Sequence, residues 1–482
     1  VVEQKRLFVG GEWSAPSTDR VIEVVSPHTE EVIATVACAA PEDADRAVER
    51  ARAAFDDGPW PRLDPVERIE AVRRLAGLYR ERRREMAETI TAEMGAPISF
   101  SKFSQATMPM VLLNSYVEIA RTAAWEETRP GHFGQDVIVR KEPAGVVAGI
   151  VPWNMPQFLL IGKLAPALLA GCTIVLKPAP ETPLDALLLA ELVADAGLPP
   201  GVVSILPADA DVGRHLVTHP GVDKVSFTGS TAVGREIAAA CGSTLKRVGL
   251  ELGGKSAAVV LDDADPAGVA EGIKLAGLMN SGQTCVAQTR VLVPANRYDE
   301  HVDALEDMVK ALRVGDPSDP STEIGPLVAR RQRERVRGYI ESARDEGAKL
   351  VAGGAAPPDG IERGWYVRPT LFANVDNAMR IAREEIFGPV LSVIPYDGEE
   401  EAIRIANDSG YGLSGSVWTA DTDRGLRVAR GVRTGTFGIN QPYSMDPVAP
   451  FGGMKGSGIG RELGQEGLDG YLEPKSISLV EG

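Results

Sequence analysis

The sequence predicts an α/β protein built on a doubly wound parallel sheet, and three observations carry that expectation. From Val146 onward, short runs rich in valine and isoleucine alternate with stretches of helical period, punctuated by glycine and proline. A second alternating stretch follows Cys285. At 482 residues the chain exceeds one ordinary domain, so two or three are expected.

Residues 41–94 read as charge-rich helix, suited to packing around the first sheet. Residues 146–151 read as a buried strand, 158–170 as a helix and 173–176 as the next strand. A helix over 183–196 has proline at its start, Leu184, Leu188 and Leu192 on one face, and Gly197 past its end. Residues 202–206 and 224–227 are further strands, the second running into Thr228-Gly229-Ser230 and another helix. Beyond Cys285 come strand 289–293, a charged helix over 331–346 and strand 390–394. Loops over 323–327 and 353–364 connect them. No internal repeat interrupts this order. Repeated strand–helix units place ligands at the strand C-termini.

An apolar share of 44% and a charged share of 24% fit a globular protein with a large core. The formal net charge of −16 repels phosphate backbones and anionic lipid, so nucleic acid and membrane are poor partners. Any anionic cofactor must therefore bind through local donors. The longest near-uninterrupted apolar run, 164–176, falls short of the roughly 18 residues that span a bilayer. It fits a buried helix turning into a strand. The N-terminal stretch carries no charged leader with an apolar core. Cys38, Cys172, Cys241 and Cys285 are not closely paired, which argues against a disulfide framework and a zinc site. The expected setting is the reducing cytoplasm.

The chemistry concentrates in two glycine-bearing frames. Cys285 closes Gly282-Gln283-Thr284-Cys285, and a thiol is the strongest side-chain nucleophile near neutral pH. Glu251 opens Glu251-Leu252-Gly253-Gly254-Lys255, whose glycines let the backbone turn the carboxylate inward to activate water. Most lone cysteines are small buried hydrophobes, and Cys38, Cys172 and Cys241 are read that way. The frame around Cys285 reverses the reading there. Pro152-Trp153-Asn154 offers an amide donor for an oxyanion, although Asn154 also suits the N-cap of the following helix. Glu384-Glu385-Ile386-Phe387-Gly388-Pro389 sets carboxylates beside an aromatic and a turn. His215 and His219 stand four apart without an evident third ligand, so they read as surface histidines and no metal is expected.

These motifs, in this order, resemble the aldehyde dehydrogenase superfamily of the non-phosphorylating, NAD(P)-dependent kind. The likeness runs from Leu7-Phe8-Val9-Gly10-Gly11-Glu12-Trp13 to Tyr471-Leu472-Glu473-Pro474-Lys475. It implies a Rossmann-like cofactor-binding domain over 1–122 and 144–253, and a catalytic α/β domain over 254–465. Segments 123–143 and 466–482 would form a small shared sheet that joins subunits into a homodimer or homotetramer. By the resemblance Cys285 is the nucleophile, Glu251 the base for the hydrolytic water, and Asn154 an oxyanion donor. Lys177 serves both catalysis and the adenosine ribose. Ile150, Pro152, Trp153, Phe227, Gly229, Ser230 and Val233 match cofactor positions around the strand ends, with Gly213 and Leu252. Glu385 and Phe387 match those that hold the nicotinamide end. The aldehyde would run past Met155, Phe158, Leu159 and Gly162, with Met445 and Phe451 on the far side.

None of those pocket positions is basic, so a medium-sized, uncharged, apolar aldehyde is expected, with Gly162 widening the passage. Relatives that prefer NAD commonly carry a glutamate where Pro180 stands; here the carboxylate, Glu181, comes one residue later. Glu181 and Asp209 would still repel a 2′-phosphate, so NAD is expected to be preferred, with NADP used less well. Two other readings stand beside this one. One is transfer of the acyl group to coenzyme A, which Glu251 disfavours because relatives of that type usually lack it. The other is a non-catalytic structural or binding member, against which Cys285, Glu251 and Asn154 speak.

Overall fold

The computed structural model describes residues 2–133, 135–442 and 445–478. Its first sheet has eight strands. In spatial order they are Gly458–Ile459, Arg247–Glu251, Lys224–Thr228, Val146–Ile150, Thr173–Lys177, Val203–Ile205, Leu7–Val9 and Glu12–Ser14. The five middle strands run parallel, and both edges are finished by antiparallel pairing. The chain begins this parallel set at Val146–Ile150, builds outward to Val203–Ile205, then crosses back to Lys224–Thr228. That reversal opens a crevice at the C-terminal ends of Val146–Ile150 and Lys224–Thr228, where open α/β sheets bind ligands.

The helix Pro156–Ala170 supplies part of the wall of this crevice. Proline opens it, Gly171 closes it with φ 92°, and every residue along it is buried. A helix apolar all round must be covered on all sides. It lies against the sheet and against helices Pro65–Glu81 and Thr107–Thr122. The run 164–176 is thus a buried helix turning into the strand Thr173–Lys177, as its composition predicts.

The second sheet orders Lys349–Ala352, Thr370–Ala373, Val390–Tyr396, Arg290–Pro294, Ala257–Val260, Gly415–Trp418 and Gly438–Ile439. All its pairs are parallel except the outermost, Lys349–Ala352 with Thr370–Ala373. A three-stranded antiparallel sheet joins Leu472–Ser478, Asp136–Pro143 and Glu126–Pro130, the last exposed along its whole length. Residue 134 of segment 123–143 and residues 479–482 of segment 466–482 lie outside the described residues.

One difference from the sequence expectation matters for the site. Segment 254–465 does not stay with the second sheet. Gly458–Ile459 returns to pair with Leu250 and Glu251 at the edge of the first. No helix among the described residues is long and apolar enough to cross a membrane.

Candidate active site

Strand ends of the first sheet and the loop before Arg290–Pro294 enclose a cavity of about 220 Å³. Cys285, Glu251 and Asn154 all line it. Cys285 is presented by three successive left-handed residues: Asn280 (φ 52°), Ser281 (φ 56°) and Gly282 (φ 74°). A Cβ on Gly282 would stand 2.1 Å from the Gly388 carbonyl oxygen, so glycine is required in the frame. Burial, and then the charges of Glu385 and Glu251, push the Cys285 thiol up to about 12. Burial thus favours the protonated thiol over the thiolate.

Glu251 ends the strand Arg247–Glu251 and is 4% exposed. Its Oε2 is buried without a hydrogen-bond partner among the described residues. Burial and the nearby Glu462 carboxylate hold its protonation well above the usual carboxylate range, with Lys163 and Arg461 opposing. Space for the carboxylate exists because Gly452 lacks a side chain; a Cβ there would lie 2.7 Å from Glu251 Oε1. Behind it the fully buried Lys163 donates to Glu462 Oε1 at 2.5 Å and to Thr228 Oγ1 at 2.8 Å. No local pattern signals this pair, whose members lie far apart in the chain.

Asn154 does not cap the next helix. Met155 occupies the N-cap, without a side-chain cap bond. Instead Asn154 Nδ2 donates to the Gln283 carbonyl at 3.0 Å, tying the first sheet to the cysteine loop. An amide nitrogen carries two protons, so one remains for a further acceptor.

The opposite wall is formed by Trp153 and Phe387, edge to face with centroids 5.4 Å apart. Glu385 Oε1 accepts from the Gly254 N–H at 3.0 Å, and burial pushes its carboxyl up to about 7. A Cβ on Gly253 would meet Glu385 Oε2 at 2.5 Å, which explains the double glycine after Glu251-Leu252. Ser230 caps the helix Thr231–Thr244, its Oγ accepting from the Val233 N–H at 3.4 Å. Its own hydroxyl proton stays available. Lys177 ends its strand 5% exposed, and burial lowers its ammonium to about 8. Gly213 lies along its stem, a Cβ there coming 3.5 Å from Lys177 Cδ. Ile150, Phe227 and Leu252 share one apolar cluster under these strand ends.

Pro152, Trp153, Met155, Phe158, Leu159, Gly229, Ser230, Leu252, Glu385, Phe387, Met445 and Phe451 line the same cavity. Ile150, Lys177, Glu181, Gly213, Phe227 and Val233 stand off its wall. Two expectations need correction. Gly162 does not face the passage: a Cβ there would point at Glu462 Oε2 (3.7 Å) and Leu112 (3.9 Å), so it cannot widen it. Glu181 and Asp209 are not free charges, because Glu181 is paired with Arg331 and Asp209 with Arg20. Sequence reading also missed Met279 and Val286 on the wall, although both flank the cysteine frame. Arg335 lines the cavity too, and donates to the Glu385 backbone carbonyl at 2.7 Å.

His215 and His219 do meet a third group, Asp45, at 2.5 and 3.3 Å from its Oδ1. Nδ1 of His219 accepts from the Gly221 N–H, which leaves Nε2 as the donor toward Asp45. The trio is a hydrogen-bonded clasp between helices Pro41–Asp56 and Ala210–Thr218.

The sequence profile described as "Aldehyde dehydrogenase family" matches residues 13–477. A geranial dehydrogenase from Castellaniella defragrans is 47% identical over 99% of both chains. The solved aldehyde dehydrogenase of Mycobacterium tuberculosis, complexed with NAD+, has a TM-score of 0.98 at 50% identity, covering 100% of this chain and 99% of that one. A mutant of aldehyde dehydrogenase C from Pseudomonas syringae, complexed with NAD+ and octanal, has a TM-score of 0.95 at 43% identity, covering 98% and 96%. The chain belongs to the aldehyde dehydrogenase family and is an NAD(P)-dependent aldehyde dehydrogenase.

Proposed function

We propose that the protein oxidises a medium-sized, uncharged, apolar aldehyde to the free carboxylic acid, with NAD preferred over NADP. The observation that carries this reading is one cavity lined by Cys285, Glu251 and Asn154, with Met155, Phe158, Leu159 and Phe451 around them. Cys285 loses its proton and attacks the carbonyl carbon, giving a thiohemiacetal. Its oxyanion meets the free N–H of Asn154 Nδ2 and the backbone N–H of Cys285. Bound NAD+ supplies the hydride acceptor. Glu251 then takes a proton from water, which attacks the thioester; the acid leaves and Cys285 is restored. The Oε2 of Glu251 suits that task, since it is buried and no donor among the described residues competes for it.

The residues present fit a dinucleotide. Glu385 uses one oxygen on Gly254 and keeps the other for a ribose hydroxyl, while Trp153 and Phe387 offer an aromatic wall. Ser230 at the start of Thr231–Thr244 suits the pyrophosphate, and Lys177 suits the adenosine ribose. Glu181, Gly213, Ile150, Phe227 and Val233 would border that outer half. The division into a cofactor domain (1–122, 144–253), a catalytic domain (254–465) and assembly segments (123–143, 466–482) belongs to the same proposal. Its support is the two large parallel-centred sheets, linked only where Gly458–Ile459 crosses to the first, and the exposed strand Glu126–Pro130, an open edge for a second copy in a dimer or tetramer.

Geranial and octanal are named for two relatives, but betaine aldehyde and 3-succinoylsemialdehyde-pyridine are named for two others, so the cavity lining and not the relatives carries the apolar reading. The deciding experiment is a screen of NADH formation with aliphatic, terpenoid, aromatic and charged aldehydes, with product acid identified by mass spectrometry. Acyl-CoA as the main product on addition of coenzyme A would overturn hydrolysis, and no NADH with any aldehyde would overturn the reading as a whole.

A further inference from the structure

The proposed oxyanion donors come from two different sheets, and one buried side chain bridges their backbones. Asn280 Nδ2 donates to the Asn154 carbonyl at 3.0 Å and lies 3.4 Å from the Gln283 carbonyl. Gln105 Nε2 adds a second bond to the same Asn154 carbonyl at 2.8 Å. Gln283 closes the set: its Nε2 donates to the Asn280 carbonyl at 3.2 Å, and its Oε1 accepts from the Val328 N–H at 3.0 Å. Gln105, Asn280 and Gln283 are 0%, 2% and 0% exposed.

The residue types follow from the geometry. Asn280 sits at φ 52°, a left-handed conformation that asparagine tolerates better than most residues. Its short amide can reach two carbonyls from there. Gln105 ends a π-type turn, Ser101–Gln105, next to the helix Thr107–Thr122. Such bulges recur at functional sites. Both amides are held by their donor ends, since Gln105 Oε1 and Asn280 Oδ1 have no partner among the described residues.

We infer that Asn280 and Gln105 are positioning residues that fix the Asn154 carboxamide relative to the Cys285 backbone N–H. The inference rests on the reading of Asn154 and Cys285 as oxyanion donors. Asn154 Nδ2 points one proton at the Gln283 carbonyl, so its second proton has a set direction only while that carbonyl and the Asn154 backbone stay in register. Asn280 contacts both. Gln105 acts on the Asn154 side alone, from outside the cysteine loop.

The test uses the full chain carrying Asn280→Gly, which keeps the left-handed backbone, and separately Gln105→Met, which keeps the volume without a donor. Three quantities are read: the pre-steady-state burst of NADH with octanal, KM for octanal, and the alkylation rate of Cys285 by iodoacetamide. Alkylation needs the thiol and access to it but no oxyanion donor. The burst rate should fall at least about 10-fold in each variant, part of the roughly 100- to 1000-fold that loss of an oxyanion donor causes. KM and alkylation should stay within about 2-fold, since neither uses the oxyanion geometry.

In an Asn154→Ala background Asn280→Gly should slow the burst much less than it does alone, because both act through one amide. A burst unchanged in both variants, or alkylation falling in step with it, overturns the positioning role. An unchanged burst in Asn154→Ala instead overturns the reading of Asn154 on which it rests. Should Asn280→Gly fail to fold, Gln105→Met decides alone, since it leaves the cysteine loop untouched.

Discussion

Glu181, whose charge acts on the strand-end Lys177, is bonded to the guanidinium of Arg331. Asp209 is bonded to Arg20 at 2.6 Å, a guanidinium it shares with Asp211 at 3.2 Å. Of the two acids that would repel a 2′-phosphate, Glu181 thus has a cation of its own and Asp209 half of one. The repulsion that favours NAD should therefore be blunted at Glu181. Arg331→Ala should restore it, raising the NAD-to-NADP ratio of kcat/KM by about 2- to 5-fold, the scale of one partly exposed ion pair. Steady-state kinetics with both cofactors checks this, and a ratio unmoved by the substitution would place Glu181 out of reach of the ribose.

Cys285→Ala should abolish oxidation and leave NAD binding intact, because the thiol alone forms the covalent intermediate. Titration of cofactor binding together with turnover measures both. In the wild-type protein, alkylation of Cys285 should quicken steadily as pH rises through the alkaline range. Burial holds the thiol protonated, and each rise in pH enlarges the thiolate fraction.

Glu251→Gln should yield one equivalent of NADH and then stall, since the cysteine is acylated before the base is needed. Stopped-flow absorbance separates burst from turnover; unimpaired turnover would remove Glu251 from the role. The raised protonation of Glu251 also fixes the sign of the pH effect. Its basic form gains population as pH rises, so hydrolysis should climb with pH through that range.

Lys163→Met should move that rise to higher pH. The substitution strips the positive charge from Glu462 and leaves a bare carboxylate beside Glu251, making Glu251 harder to ionise. The pH profile of single-turnover acid release reports it. A profile that keeps its midpoint would mean Glu462 does not act on Glu251.

Apolar aldehydes such as octanal and geranial should exceed succinic semialdehyde and betaine aldehyde in kcat/KM by at least about 10-fold. A buried charge without a partner is costly, and Met155, Phe158, Leu159 and Phe451 offer none at their end of the cavity, the lining Arg335 being held at the Glu385 carbonyl. Higher kcat/KM for either charged aldehyde would overturn this. Gly162→Ala should leave aldehyde preference unchanged, because that position faces Glu462.

Local pattern carried much of this architecture. The strand–helix alternation from Val146 announced the parallel sheet, since burial on both faces writes itself as short runs of valine and isoleucine. Gly282 and Gly253 were legible as frames because each leaves room for a neighbour, the Gly388 carbonyl and the Glu385 carboxylate. What stayed hidden were partnerships between distant segments. Asp45 with His215, Arg331 with Glu181 and Glu462 with Lys163 are joined only by folding, and no periodicity records them. The direction of Gly162 was hidden for a related reason: a helix buried all round shows no polar face by which to orient it.

The late return of Gly458–Ile459 to the edge beside Glu251 sets an order of events during synthesis. Until that hairpin-like return emerges, Arg247–Glu251 is an unpaired sheet edge, although almost all of the second sheet has already been made. The same segment delivers Phe451, the gap at Gly452 that admits the Glu251 carboxylate, and Glu462. The surroundings of the Glu251 carboxylate therefore depend on a stretch far downstream of it in the chain, and a chain cut before Phe451 would keep Cys285 and Glu251 while losing the groups that shape the space around Glu251.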